Sequence, residues 1–167
     1  YDDLLSEHIP ELPHWPHITI RQLMNHTSGV TDYYEEPYYT DFVQRYDKTF
    51  AMPQNTDLIK IMSNYSDADF PAGEQYIYNN AGYELLAIVV ERTSGKAFGK
   101  FLKEKIFQPA GMETATTFNS LHGDFSGRVL GYSPTEQGFI LNDFDPFNDM
   151  LGAGGVYASI DDLTSWF

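Results

Sequence analysis

Apolar positions in this chain recur mostly at helical spacing. Tyr39, Phe42, Val43 and Tyr46 repeat at i, i+3, i+4 and i+7, and so do Leu58, Ile61, Met62 and Tyr65. Each set predicts a helix with one buried face. Asn55 and Thr56 stand before the second set as candidate N-caps. From Ala81 to Ser94 the chain is apolar nearly all round, at Leu85, Leu86, Ala87, Ile88, Val89 and Val90. That predicts the longest helix and a central place for it, with Gly95 ending it in a left-handed conformation. Phe98, Phe101, Leu102 and Ile106 mark a further helix, closed by Pro109 and Gly111. Two capping boxes complete the pattern: in each, an N-cap side chain and the residue three positions on satisfy one another's orphan backbone donors. Thr19 with Gln22 opens a short helix expected to run to Gly29, and Ser159 with Asp162 opens one expected to turn Leu163, Trp166 and Phe167 inward.

The remaining segments break this rhythm. Tyr1 to Trp15 mixes prolines with isolated apolar residues and reads as an extended, surface-hugging segment. Two short β-like runs flank a turn near Glu136 to Gly138, which predicts a hairpin. Gly152 to Gly155 form a glycine-rich loop. The fold class is therefore mainly α with a small β-hairpin, and 167 residues without a linker or repeat make one domain, 1–167.

Composition narrows the function. Ten Lys and Arg against 24 Asp and Glu leave a formal charge of −14, which argues against nucleic acid as a partner, since phosphate-backbone affinity rests on clustered cations. With 42% hydrophobic residues the chain has material for a core, so disorder is not expected. The longest apolar stretch lies around Leu85 to Val90, too short to span a membrane. Zero cysteines exclude disulfides, thiolate metal sites and a cysteine nucleophile. His14 and His17 have a plausible ligand spacing, but Pro13 and Pro16 keep them off one helical face, so neither a metal nor a cofactor is expected. The run Gly152-Ala153-Gly154-Gly155 lacks the spacing of a dinucleotide fingerprint, and no G-x-S-x-G nucleophile elbow is present.

Three strings carry more information together than apart: ITIRQLMNHTSGV at 18–30, the long run from Pro71 to Met112 that contains YIYNNAGYELLAIVVERTSG, and GAGGVYASIDDLTSW at 152–166. In content, order and spacing they resemble the serine β-lactamase and penicillin-binding-protein superfamily, in its branch of class C β-lactamases, D-alanyl-D-alanine carboxypeptidases and esterases. The resemblance implies a serine acylated by a β-lactam, a peptidoglycan stem peptide or a small ester and then released by water. It also implies three motifs, S-x-x-K, Y-x-N and a late K-T-G or H-x-G. Tyr78-Asn79-Asn80 matches Y-x-N directly before the long helix. Carried over, Tyr78 shares proton transfer, and Asn80 hydrogen-bonds substrate and the motif lysine.

The residue types suit those roles. A phenol with a pKa near 10 accepts a proton at neutral pH only where cations stabilise its phenolate, so Tyr78 depends on a lysine. Asn80 offers donor and acceptor without charge. Outside the matching context Tyr78 would be one of twelve tyrosines in an aromatic-rich chain and Asn80 an ordinary helix N-cap. No serine in the chain is followed three positions on by lysine, and Lys48-Thr49-Phe50 lacks the glycine of K-T-G and precedes Y-x-N. The resemblance thus implies the helical subdomain of a β-lactamase/transpeptidase-like fold, lacking most of the α/β lobe that would be its partner. Such a piece would be inactive alone, and its walls near Tyr33 and from Leu151 to Tyr157 would line the substrate cleft. It further implies a periplasmic or extracellular protein. A non-catalytic sensor or cell-wall-binding module of the same fold is the alternative. One corollary is a patch of exposed apolar surface near Tyr78 and Trp166.

Overall fold

The computed structural model describes residues 1–33, 55–65, 67–118, 125–143 and 150–167. Its helices are α1 (Leu5–His8), α2 (Ile20–Met24), α3 (Asn55–Met62), α4 (Asn80–Ser94) and α5 (Phe98–Leu102), which runs into a π-helical turn at Lys103–Phe107, and α6 (Ile160–Trp166). Strands β1 (Thr116–Thr117), β2 (Tyr132–Thr135), β3 (Gly138–Leu141) and β4 (Val156–Tyr157) form two antiparallel pairs, β1 with β4 and β2 with β3. The helix expected on Tyr39, Phe42, Val43 and Tyr46 lies outside the described residues.

Helix α4 is the axis of the molecule. The Asn79 side chain caps it by accepting from the Gly82 amide (2.7 Å), and Gly95 ends it at φ 67°, as the sequence predicts. Its Ala81, Leu85, Ile88 and Val89 are buried together with Leu23 of α2 and with Leu58 and Met62 of α3. Each fully buried Leu, Ile or Met among them contributes roughly 1.5–3 kcal/mol before the cost of ordering it.

The N-terminal segment departs from expectation. Leu5, Ile9, Leu12 and Trp15 are all core residues rather than surface-hugging ones. Prolines do exclude a long helix there. Successive turns, with Ile9 N–H donating to Leu5 O (2.8 Å) and Leu12 N–H to Ile9 O (3.1 Å), still bring residues three or four apart onto one side. Arg92 of α4 fastens this arm from outside, donating to both Glu11 carboxylate oxygens at 2.8 Å and to His8 O at 2.9 Å.

Both capping boxes form. Helix α2, however, stops at Met24 rather than running to Gly29, because His26 takes the left-handed conformation (φ 60°) and the Thr27 amide turns back onto Gln22 O (2.9 Å). Helix α6 opens at Ser159 as expected but faces the other way. Leu163, Trp166 and Phe167 are exposed, and Asp162 is the buried residue. The Thr114 hydroxyl and amide and the Ser159 amide all donate to the Asp162 carboxylate, which turns the polar first turn inward and holds that carboxyl well below the usual range, the Thr114 hydroxyl being the largest cause.

The expected hairpin is β2–β3, paired from Tyr132 opposite Leu141 to Thr135 opposite Gly138. Its Tyr132, Phe139, Ile140 and Leu141 are exposed. The β1–β4 pair was not legible in the sequence: two residues per strand carry no periodicity, and only tertiary approach brings Thr116 opposite Tyr157.

Candidate active site

The Y-x-N triplet sits where two loops are stitched together at the start of α4. The first loop, 26–32, leaves α2, and the second, 69–79, enters α4. Asp69 N–H donates to Gly29 O (2.8 Å), Gly73 N–H to Thr27 O (2.8 Å) and Ile77 N–H to His26 O (3.0 Å). The Thr31 hydroxyl donates to Asp69 (2.7 Å), and the Asn79 side-chain amide to Val30 O (2.6 Å). Gly29 has φ 75° and faces the Phe70 carbonyl so closely that a side chain there would collide with it, so the two loops approach to backbone contact only through glycine.

The three residues of the triplet have different environments. Tyr78 is 62% exposed. Asn79 is buried and holds the corner, its side chain spanning Val30 O and the Gly82 amide. The N-cap is therefore Asn79 and not Asn80. Asn80 is the first helical residue, half-buried, and its backbone amide donates to the Asp32 carboxylate at 2.7 Å. Asp32 thus places a negative charge against the positive end of the helix dipole while itself only 7% exposed. Among the described residues, neither the Tyr78 hydroxyl nor the Asn80 side-chain amide has a hydrogen-bond partner. A small pocket beside Tyr78 is lined by Ser28, Asp32, Asp69, Phe70, Ile77 and Asn79, and Asn80 is not part of its lining.

An aromatic cluster surrounds the tyrosine. The His26 ring lies 4.6 Å from that of Tyr78, stacks on Tyr83 at 5.0 Å and meets Tyr76 edge-on at 5.8 Å. Tyr83 is anchored in turn, its hydroxyl donating to Met24 O at 2.8 Å. His26 is the one non-glycine residue with positive φ among the described residues, a conformation costing on the order of 1 kcal/mol.

The glycine-rich loop reaches the same region. Asn55 of α3 makes a reciprocal pair with the Leu151 backbone, donating to its carbonyl (3.1 Å) and accepting from its amide (2.8 Å). That fixes Gly152 on α4, where a Cβ would stand 2.6 Å from Tyr83 O and 2.7 Å from the Glu84 Cα. Asn55, expected as a cap for α3, serves this loop instead. The loop expected as a cleft wall near Tyr33 lies, beyond that residue, outside the described residues, while Tyr33 itself is fully buried with its hydroxyl donating to Glu84 of α4 (2.8 Å). Tyr33 supports the site from within. Sequence reasoning singled out Tyr78 and Asn80 but not His26, Asp32 or Asn79 as the residues that hold them, and it gave Asn55 a different task. The N-N-A-G run before the apolar helix was the one local signal, for Asn79.

Against this geometry, the family model described as Beta-lactamase matches residues 1–167. The chain belongs to the Beta-lactamase family. Penicillin-binding protein 4* of Bacillus subtilis (strain 168) is 34% identical over 120 residues, covering 71% of this chain and 25% of that protein. A D-aminopeptidase of Cereibacter sphaeroides (strain ATCC 17029 / ATH 2.4.9) is 29% identical over 168 aligned positions, covering 99% of this chain and 31% of the relative. Among solved structures, a penicillin-binding protein from Bacillus halodurans superposes with a TM-score of 0.78 at 29% identity, over 99% of this chain and 51% of that one. As a member of the Beta-lactamase family, the chain spans only about a quarter to a third of these curated relatives.

Proposed function

We propose that this chain is the helical lobe of a serine hydrolase working through an acyl-enzyme, and that it supplies the Y-x-N element of the site. The observation that carries this reading is the pairing of an exposed Tyr78 with a half-buried Asn80 at the N-terminus of the central helix, both polar tips free of partners among the described residues. Tyr78 takes the proton as a serine hydroxyl attacks the substrate carbonyl, with the motif lysine as the cation that stabilises its phenolate. Asn80 orients the substrate amide. The serine and lysine of S-x-x-K come from outside this sequence, as does the late K-T-G or H-x-G strand, so the lobe by itself is silent.

The D-aminopeptidase likeness over 99% of the chain favours a D-configured amide or peptide as substrate, with β-lactams as acylating analogues of such a bond. The polypeptide containing this lobe is tested with a fluorescent penicillin, D-alanine p-nitroanilide and a p-nitrophenyl ester. We expect acylation seen by mass spectrometry, and loss of turnover on the order of a hundredfold or more in Tyr78→Phe, the scale of general acid–base catalysis. The 167-residue chain alone is expected to hydrolyse none of them. Turnover by the isolated chain that disappears in Tyr78→Phe would overturn the division of labour, and absence of any acylation in the intact polypeptide would favour the non-catalytic, cell-wall-binding alternative.

A further inference from the structure

We infer that His26 is the positioning residue for Tyr78, acting through two backbone hydrogen bonds and one ring contact. This rests on the reading of Tyr78 given above. The His26 carbonyl accepts from the Ile77 amide (3.0 Å), on one side of Tyr78. On the other side, the His26 ring nitrogen Nδ1 lies 3.2 Å from the Asn79 amide nitrogen, which donates to it. That amide belongs to the peptide linking Tyr78 to Asn79, so a single residue holds the chain immediately before and immediately after the tyrosine. Its ring, 4.6 Å from the phenol ring, then limits where the side chain swings.

The arrangement explains two features that otherwise lack a purpose. The left-handed backbone of His26 (φ 60°) turns α2 off at the point where carbonyl and imidazole both face the incoming 76–79 segment. The Tyr83 ring stacked on the imidazole at 5.0 Å, tied by its hydroxyl to Met24 O, backs the ring from α4. Because Nδ1 must offer a lone pair to the Asn79 amide, the neutral imidazole carries its proton on Nε2. Tyr76, Tyr78 and Tyr83 are the titratable side chains in ring contact with it.

A flexible phenol in a largely exposed position loses reactivity through misplacement, and displacements near 1 Å cost about a hundredfold in rate. His26→Phe keeps a ring against Tyr78 but removes the acceptor. His26→Asn keeps an acceptor and tolerates the left-handed backbone but removes the ring. In the intact polypeptide, with rates expressed per folded molecule, His26→Phe is expected to lower kcat about tenfold to a hundredfold with KM little changed, and His26→Asn to recover part of that loss. Wild-type kcat in both variants, or a loss confined to KM, overturns the inference.

A second measurement needs no activity and no substitution. In the uniformly ¹⁵N-labelled chain, the His26 imidazole is expected to show the Nε2–H tautomer at neutral pH and a scalar coupling across the hydrogen bond between its Nδ1 and the Asn79 amide nitrogen. An Nδ1–H tautomer without that coupling overturns the inference even where a variant fails to fold. If Tyr78→Phe leaves turnover intact while the coupling is present, the reading of Tyr78 fails and the His26 contact stands as architecture alone.

Discussion

At the scale of single residues, close backbone approach decides more than chemistry does. Gly152 is the sharpest case: a methyl group there would be thrust at the Tyr83 carbonyl oxygen and the Glu84 Cα, both backbone atoms of α4. Gly152→Ala is therefore expected to destabilise the fold by about 1–3 kcal/mol, read as a lower urea midpoint, because backbone yields less readily than a side chain. Gly154→Ala is the control, since nothing lies within 4 Å of its added Cβ. The triplet Tyr78-Asn79-Asn80 was legible because its three positions are adjacent in the chain and directly precede the apolar helix. His26 and Asp32 were not: each meets the triplet across about 50 residues of chain, through contacts no local period encodes.

At the scale of elements, the N-terminal arm and α4 are joined by a surface ion pair whose effect depends on pH. The Arg92 guanidinium, hydrogen-bonded to both Glu11 oxygens, lowers the Glu11 carboxyl to about 2. A carboxyl depressed in the folded state contributes its stabilisation above its unfolded pKa and loses it as pH falls toward the folded one. Between about pH 5 and pH 2, then, the thermal midpoint should fall, and the fall should be shallower in Glu11→Gln. The difference is expected to be small because the pair is exposed and screened by salt, and an identical acid profile in the variant would dismiss this pair as a contributor. Both capping boxes were readable in the sequence because each closes within three residues. Which face of α6 turns inward was not, since Thr114, 48 residues away from Asp162, decides it.

For the whole molecule, the distribution of apolar surface is the salient property. Large apolar side chains are exposed at Tyr76, Ile77 and Tyr78, on the hairpin at Phe139, Ile140 and Leu141, and along α6 at Leu163, Trp166 and Phe167. Exposed apolar groups in such number favour association. The chain in isolation is expected to self-associate with rising concentration by light scattering and to bind a hydrophobic dye, despite a net charge of −14. A monomer that binds no dye would show that these side chains do not act as a patch. The sequence alone was enough for the long helix and its Gly95 end, the two capping boxes, the hairpin and the Y-x-N triplet, because each rests on contacts within a few residues or on a period set by the backbone. Tertiary structure alone decided the burial of the N-terminal arm, the outward face of α6, the β1–β4 pair and the His26 and Asp32 supports of the triplet. Those depend on which segments approach one another, and that is set by packing across the whole chain.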